Sequence, residues 1–333
     1  MTRKTPQRER IEIELLVIVG PTAAGKTKLA TAVAQALSGE IISADSMQIY
    51  RGMDIGSAKP TAEERRAVVH HLIDFADPAL DFSVAEYQGR ARAAIRDIAR
   101  RGALPILVGG TGLYVNAVLY DMDFSAPPRG RDFRERLLRE AAEEDAARLH
   151  ARLCAVNPEA AARIHPNNVK RVVRALEISE SAGALRPFSA SFLAPWREIR
   201  PLIVRLTRER AELYARIEQR VDAFFSAGLI HEVKTLAARG LSESHIAMKG
   251  IGYKEILGYL RGEYDLARAV ELVKQNSRRY AKRQNTWFKR YEDARVINLS
   301  AYADETDACA DISEAWRRFC ADNARTRARK EGL

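Results

Sequence analysis

The clearest chemistry in the chain lies in eight residues near its amino terminus. Gly20-Pro21-Thr22-Ala23-Ala24-Gly25-Lys26-Thr27 fits the G-x-x-x-x-G-K-[ST] pattern of a phosphate-binding loop. Its two glycines let the main chain turn tightly and aim N–H groups inward. Those N–H groups, with the helix that follows, favour an anion. Lys26 is placed to reach terminal phosphate oxygens, and the Thr27 hydroxyl to face a Mg²⁺ that bridges them. The ligand is therefore a di- or triphosphate. The pattern does not say what is done to it.

The flanking sequence supplies the elements such a loop needs. Leu15 to Val19 is an apolar, β-branched run that reads as a buried strand, and Lys28 to Leu37 reads as a helix. Glu40 to Ser46 reads as a second strand that ends at Asp45. Ligands of open α/β sheets sit at the carboxyl ends of the strands, so Asp45 is expected beside the loop. Glu63 to Val69 is a short helix candidate and His71 to Phe75 a strand candidate. Ser83 and Glu86 form a capping box that opens a helix to about Arg101. Leu104 to Val108 is a third apolar strand, and it brings Gly109-Gly110-Thr111-Gly112 to the same crevice. Asp121 to Gly130 reads as a linker.

From Arg131 to Gly183 the strand signal vanishes, and helices are expected over Arg131 to Cys154 and Asn168 to Ser181. A strand returns at Pro201 to Leu206, with Thr207 as the cap of a helix that ends near Gly228. Further helices are expected over Leu229 to Arg239 and about Asp265 to Tyr291, and a last strand at Val296 to Leu299. The expected fold is α/β, a P-loop NTPase-like parallel sheet core flanked by helices, with an inserted all-helical subdomain. Its bounds are 10–126 for the first part of the core, 127–190 for the insertion, 191–320 for the second part, and 321–333 for a disordered tail.

Lys and Arg total 54 against 44 acidic residues, a net charge of +10. That excess points to an anionic partner larger than a nucleotide, with RNA or DNA first. The basic residues cluster. Lys274, Arg278, Arg279, Lys282, Arg283, Lys289 and Arg290 form a run without an acidic residue, interleaved with Tyr280, Trp287 and Phe288. On a helix, Val273, Tyr280, Trp287 and Tyr291 share one side of it. Lys170, Arg171 and Arg174 form a second set, opposite Val169, Val172, Val173 and Leu176. Cys154, Cys309 and Cys320 lack zinc-ligand spacing and suit a reducing compartment. No run approaches the roughly 18 apolar residues of a membrane span. The expectation is a cytoplasmic protein that does not enter a membrane.

Three uses of the loop compete on these residues. A motor or switch needs an acidic residue that ends an apolar strand beyond the loop unit. The best strand here, Pro105 to Val108, runs into Gly109-Gly110, which lowers that reading. A small-molecule kinase would use Asp45 as its base, but would not need the basic helices. The third use is transfer of some other group from a diphosphate ester to a nucleic acid.

The segments GPTAAGKT (20–27), ISADSMQIYRGMDIGSAKP (42–60), HHLID (70–74), LVGGTGLY (107–114), RVVRALE (171–177), GIGYKE (250–255) and AKRQNTWF (281–288) resemble, in order, the bacterial-type tRNA dimethylallyltransferases, also called tRNA isopentenyltransferases. The resemblance covers nearly the whole chain. It implies transfer of the five-carbon group of dimethylallyl diphosphate to N6 of adenosine 37 in tRNA, with Mg²⁺ assisting. The loop would then hold the donor's diphosphate. By the same resemblance Asp45 is the general base, Thr111 a substrate contact in the reaction channel, and Thr27 the metal contact. The R-I-x-x-R segment contacts the diphosphate, with Arg220 favoured over Arg216. Contacts to tRNA fall on Asp45, Ser46, Met47, Gln48, Thr111 and Arg134. They continue over Lys170, Arg171, Val172, Val173 and Arg174, then over Lys249, Gly250, Ile251, Gly252, Tyr253 and Lys254. The last set is Ser277, Arg278, Arg279, Tyr280, Ala281, Lys282, Arg283 and Gln284. Ser277 and Arg279 stand where members of the family often have Thr and Gln, which touches fine contacts and not the reaction. A monomer satisfies everything implied. Two alternatives stay open: an adenylate isopentenyltransferase that acts on free AMP, ADP or ATP, and a P-loop RNA-binding protein that transfers nothing.

Overall fold

Parallel strands carry the core. The computed structural model of the protein describes residues 12–122, 124, 131–143, 145–182 and 194–331. The basic segment Met1 to Arg10 and most of the expected linker lie outside them. The elements in order are β1 (Ile13–Val19), α1 (Lys26–Ala36), β2 (Gly39–Ser43), α2 (Ala62–Ala67), β3 (His70–His71), α3 (Val84–Arg100), β4 (Leu104–Gly109) and α4 (Gly112–Leu119). A helical stretch follows, with α5 (Arg131–Glu143), α6 (Ala146–Val156), α7 (Pro158–Arg163) and α8 (Val169–Ala182). The chain then returns with β5 (Ile199–Thr207), α9 (Arg210–Ser226), α10 (Leu229–Ala238), α11 (Tyr253–Leu260), α12 (Leu266–Phe288), β6 (Arg295–Asn298) and α13 (Glu305–Glu331).

Among the described residues the sheet order is β3-β2-β4-β1-β5-β6, parallel throughout. Strand β1 lies in the middle, and Leu15 to Val19 are fully buried on both faces. That explains an unbroken apolar run where a half-exposed strand would alternate. The chain moves outward from β1 to one side and later to the other, so the carboxyl ends of β1, β2, β4 and β5 border one crevice.

One face of the sheet is covered by α1 and α13. Leu29, Ala30 and Val33 pack in the same core cluster as Ala308, Ile312 and Trp316. On α3, Tyr87, Ala91, Ile95 and Ile98 are buried at helical spacing, and Tyr87 stacks on Tyr114 of α4 at 3.9 Å.

Two units make up the chain: Met1–Leu119 with Arg197–Leu333, and Tyr120–Trp196. The second is wider than the expected 127–190. Its core is Leu137, Leu149, Leu153, Val172, Val173 and Leu176. The single helix expected over Arg131 to Cys154 is two, because Asp145 caps α6 by accepting Ala147 N–H at 2.9 Å. The strand expected over His71 to Phe75 is only His70–His71, since Leu72 and Asp74 both take positive φ of 61°. Thr207 is the last residue of β5 and not a cap; Glu209 stands before α9.

The expected disordered tail from 321 is instead helical through Glu331, as part of α13. Its apolar residues recur every three to four positions at Ala308, Ile312, Ala315, Trp316 and Phe319, which gives the helix a face to bury. Asn323 extends the anchoring by accepting from Arg200 Nη1 at 2.9 Å and donating to Glu14 Oε1 at 3.3 Å.

The tightest approach between strand ends is at Gly109, where a Cβ would collide with the Ala44 carbonyl. The two chains are held there by Ala44 N–H donating to Val108 O at 2.7 Å. Gly109→Ala is expected to cost about 1–3 kcal/mol by overpacking, read as a lower urea midpoint at unchanged m-value.

Candidate active site

Outward-facing carbonyls are what allow the loop's N–H groups to face inward. Arg208 Nε donates to Ala24 O at 2.9 Å, and Arg216 Nε donates to Ala23 O at 3.0 Å. Both arginines therefore grip the outside of the turn. Arg208 is itself held by Glu212. Gly25 carries φ of 103° and Ala23 φ of 62°, the left-handed region that lets the chain reverse before α1. At Gly20 a Cβ would stand 2.7 Å from the Leu206 carbonyl oxygen, so β1 and β5 meet there without a side chain between them.

The pocket beyond the loop is lined by Thr22, Lys26 and Thr27, by Ser43, Asp45 and Gln48, by His70 and Gly109, and by Arg220, Tyr280 and Gln284. These residues come from α1, from the ends of β2 and β4, and from α9 and α12. Lys26 is half-buried, and its Nζ donates to Pro21 O at 2.8 Å. Burial first, then the neighbouring Arg220 charge, lowers its ammonium to about 8, against the opposing pull of Asp45. Arg220 is lowered by burial too, with Asp45 again opposing. Its Nη1 donates to Thr22 Oγ1 at 3.1 Å. This geometry separates the two arginines left open by the sequence: Arg220 lines the pocket, while Arg216 holds the loop from behind.

Asp45 lies just past β2. Its Oδ1 accepts the Met47 N–H at 2.8 Å and the Gln48 N–H at 3.4 Å. It thus caps its own loop and also faces the pocket. Thr111, at the turn after β4, accepts the Ser46 N–H at 3.0 Å and contacts Ser46 Oγ at 3.3 Å. Gln48 is held at both ends, by Ser43 Oγ at 2.9 Å and by Ala58 O at 3.0 Å. Tyr280 reaches Thr111 and Gln284 from α12, and burial pushes its hydroxyl up to about 12.

A metal in this pocket would meet a sparse donor set. Among the described residues no group of three or more His, Cys, Asp or Glu side chains gathers to hold an ion. A divalent ion that keeps several waters and relies on substrate phosphates asks for few protein ligands. The side-chain oxygens of Thr27, Ser43 and Asp45 line the pocket and could hold such an ion.

The residues expected to meet RNA divide by exposure. Arg279, Lys282 and Arg283 are exposed on α12, Lys170 and Arg171 on α8, and Lys249 and Lys254 beside α11. Arg283 covers the Tyr280 ring at 5.6 Å. Val172, Val173, Tyr253 and Ala281 are at most 1% exposed, so their side chains belong to cores and not to a contact surface. The buried residues of α12 are Ala269, Val273, Ala281, Gln284 and Phe288; of the four expected to share one side, Val273 is buried, Tyr280 and Trp287 are half-buried, and Tyr291 is buried just past the helix end. Nor is the basic run uncompensated. Lys274 pairs with Asp222 at 2.7 Å and Arg278 with Glu218 at 2.8 Å, both acids being on α9. In the helical unit, Arg134 and Arg174 share the fully buried Glu177 at 2.7 and 3.1 Å. Sequence reasoning missed Arg208 and the clamp made by Gln284. The position of Arg208 directly after an apolar strand was the available signal.

Fold and pocket together define a phosphate-loop α/β protein whose pocket carries a carboxylate and is lined on one side by a basic helix. The comparisons are more specific. The family model described as IPP transferase matches residues 48–291, and one described as Isopentenyl transferase matches residues 13–76. A tRNA dimethylallyltransferase of Alkaliphilus oremlandii is 49% identical over 90% of this chain and 95% of its own length. One from Geobacillus thermodenitrificans is 52% identical over 83% of this chain and 87% of its own. The crystal structure of the full-length tRNA isopentenylpyrophosphate transferase of Bacillus halodurans is 43% identical, with a TM-score of 0.70 over 97% of this chain and all of that one. A eukaryotic dimethylallyltransferase, captured acting on tRNA, is 28% identical with a TM-score of 0.74 over 89% of this chain and 77% of that one. The chain belongs to the IPP transferase family.

The lowered ammonium of Lys26 has a measurable consequence. Bound phosphate oxygens favour its charged form, so inorganic diphosphate should bind fully below pH 8. Above that, affinity should fall by up to about tenfold per pH unit as the free protein loses the proton. Calorimetric titration from pH 7 to 9.5, with Lys26→Met in parallel to remove the probe's own ionisation, checks this. Matching profiles for the two proteins would exclude Lys26 as the titrating group.

Proposed function

We propose that this chain transfers the dimethylallyl group of dimethylallyl diphosphate to N6 of adenosine 37 in tRNA. The products are N6-(dimethylallyl)adenosine and diphosphate. The observation that carries this reading is that Asp45 and the phosphate loop line one pocket, which α12 also lines through Tyr280 and Gln284 while its Arg279, Lys282 and Arg283 are exposed. A donor diphosphate fits the loop, and a polyanion fits the outer face of the helix.

The chemistry divides among these residues. The bond between the allylic carbon and its diphosphate oxygen breaks, and the electron pair leaves with the diphosphate. Lys26, Arg220 and the loop's N–H groups stabilise that charge. Mg²⁺ held at Thr27 would supply further neutralisation of the leaving group. The N6 amine, whose lone pair is delocalised into the adenine ring, bonds to the allylic carbon and gives up a proton. Asp45 is the base that takes it. Met47 and Gln48 fix one carboxylate oxygen by their N–H groups and leave the other to face the pocket. The adenosine must leave its stack to arrive there, as base-modifying enzymes generally require. Thr111 accepts the Ser46 N–H and so braces the loop that carries Asp45.

A transfer assay tests the reading. Radiolabelled dimethylallyl diphosphate and Mg²⁺ are offered with total tRNA or with AMP. Label in tRNA and not in AMP is expected. Label in AMP alone would move the chain to the adenylate-modifying branch, and label in neither would end the proposal. In the same assay Asp45→Asn should lower turnover by about 10²-fold or more, with tRNA affinity retained. Near-normal turnover would remove Asp45 as the base.

The outer face of α12 makes a separate prediction. Replacing Arg279, Lys282 and Arg283 with Gln should weaken tRNA binding. It should also flatten the salt dependence by up to about 0.9 log unit per lost phosphate contact, on the duplex-DNA scale. An unchanged slope of log affinity against log salt would return that face to the role of a solvated surface.

A further inference from the structure

The phosphate loop does not offer all of its N–H groups to a ligand. Thr22 N–H, inside the turn, donates to Gln284 Oε1 at 2.8 Å. The same amide turns its Nε2 to Gly110 O at 2.9 Å, and the side chain is 5% exposed at the pocket wall. Both ends of a buried amide are thus satisfied by main chain, one from the loop and one from the turn after β4. The fit is close, since a Cβ at Gly110 would collide with Nε2. Thr22 is engaged a second time through its hydroxyl, which accepts from Arg220.

We propose that Gln284 sets the number of phosphates this loop accepts, and holds it at two. This rests on the reading that the loop binds a diphosphate. The glutamine does two things at Thr22. It withdraws one loop N–H from any ligand, and it sets a carbonyl oxygen, an acceptor, against the pocket in its place. A diphosphate group seated at the α1 end, on Gly25, Lys26 and Thr27, has no need of the Thr22 N–H. A chain one phosphate longer must extend past those residues. It then meets a partial negative charge where an unmodified loop would offer a donor. Neutral hydrogen bonds contribute modestly, while an acceptor set against an acceptor is costly.

The test compares inorganic diphosphate with inorganic triphosphate, each titrated calorimetrically with Mg²⁺ into the full chain, and reads the ratio of the two dissociation constants. Gln284→Met keeps the volume and removes the acceptor, and should shift the ratio about tenfold toward triphosphate. Gln284→Glu keeps an acceptor and adds a negative charge, and should shift it the other way. Using a ratio within each protein separates selectivity from a general loss of affinity, and thermal melts confirm that each variant is folded. If diphosphate binds and both variants keep the wild-type ratio, Gln284 is only a structural brace and the inference is overturned, with the transferase reading untouched. If the wild-type chain binds neither anion, the diphosphate reading fails and the inference fails with it.

Discussion

Two like charges share the floor of the pocket. Lys26 and Arg220 are both half-buried, and the Arg220 charge makes the Lys26 ammonium less favourable; Asp45 is the counter-charge that moderates both. Folding brings these groups together at a cost, because removing charge from water is unfavourable and mutual repulsion adds to it. An anion placed between them relieves both terms at once. Catalytic stabilisation of a leaving diphosphate has this form: donors and cations already fixed, in a medium where they act strongly, with no reorganisation left to perform.

Holding Arg220 in that position is the work of two helices. Arg220 is on α9, and α9 is tied to α12 through Asp222 with Lys274 and Glu218 with Arg278. Two of the basic residues of α12 are therefore spent inside the protein, as anchors for the helix that carries a pocket cation. Further along the helix, Gln284 ties α12 to the phosphate loop and to the turn that carries Thr111. The remaining basic residues face outward. A single helix thereby braces the anion site on its inner side and presents positive charge on its outer side.

What could be read in advance was local. The phosphate loop depends on glycine spacing and on adjacent strand and helix, all contiguous in the chain. Asp45 lines the pocket because strand ends face the crevice in this architecture, and Thr111 meets the loop after Asp45 through Ser46. The supports of the loop come from 184 to 262 positions away in sequence, through Arg208, Arg216, Arg220 and Gln284. No pattern along the chain announces which helix will pack where. Contiguous motif blocks misled in a different way. Val172, Val173, Tyr253 and Ala281 stand inside basic segments, yet they point into cores. In α13 the polar composition of the tail hid a stripe of small and apolar residues that only a covering role against α1 makes legible.

In the proposed transfer the demand on Asp45 is one of position. The free N6 amine is far too weak an acid for any carboxylate. Once the nitrogen has bonded to the allylic carbon it carries positive charge, and its proton becomes acidic enough for a carboxylate to take. The base must therefore stand within reach at that moment. The Met47 and Gln48 N–H groups on Oδ1 are what hold the Asp45 carboxylate in place.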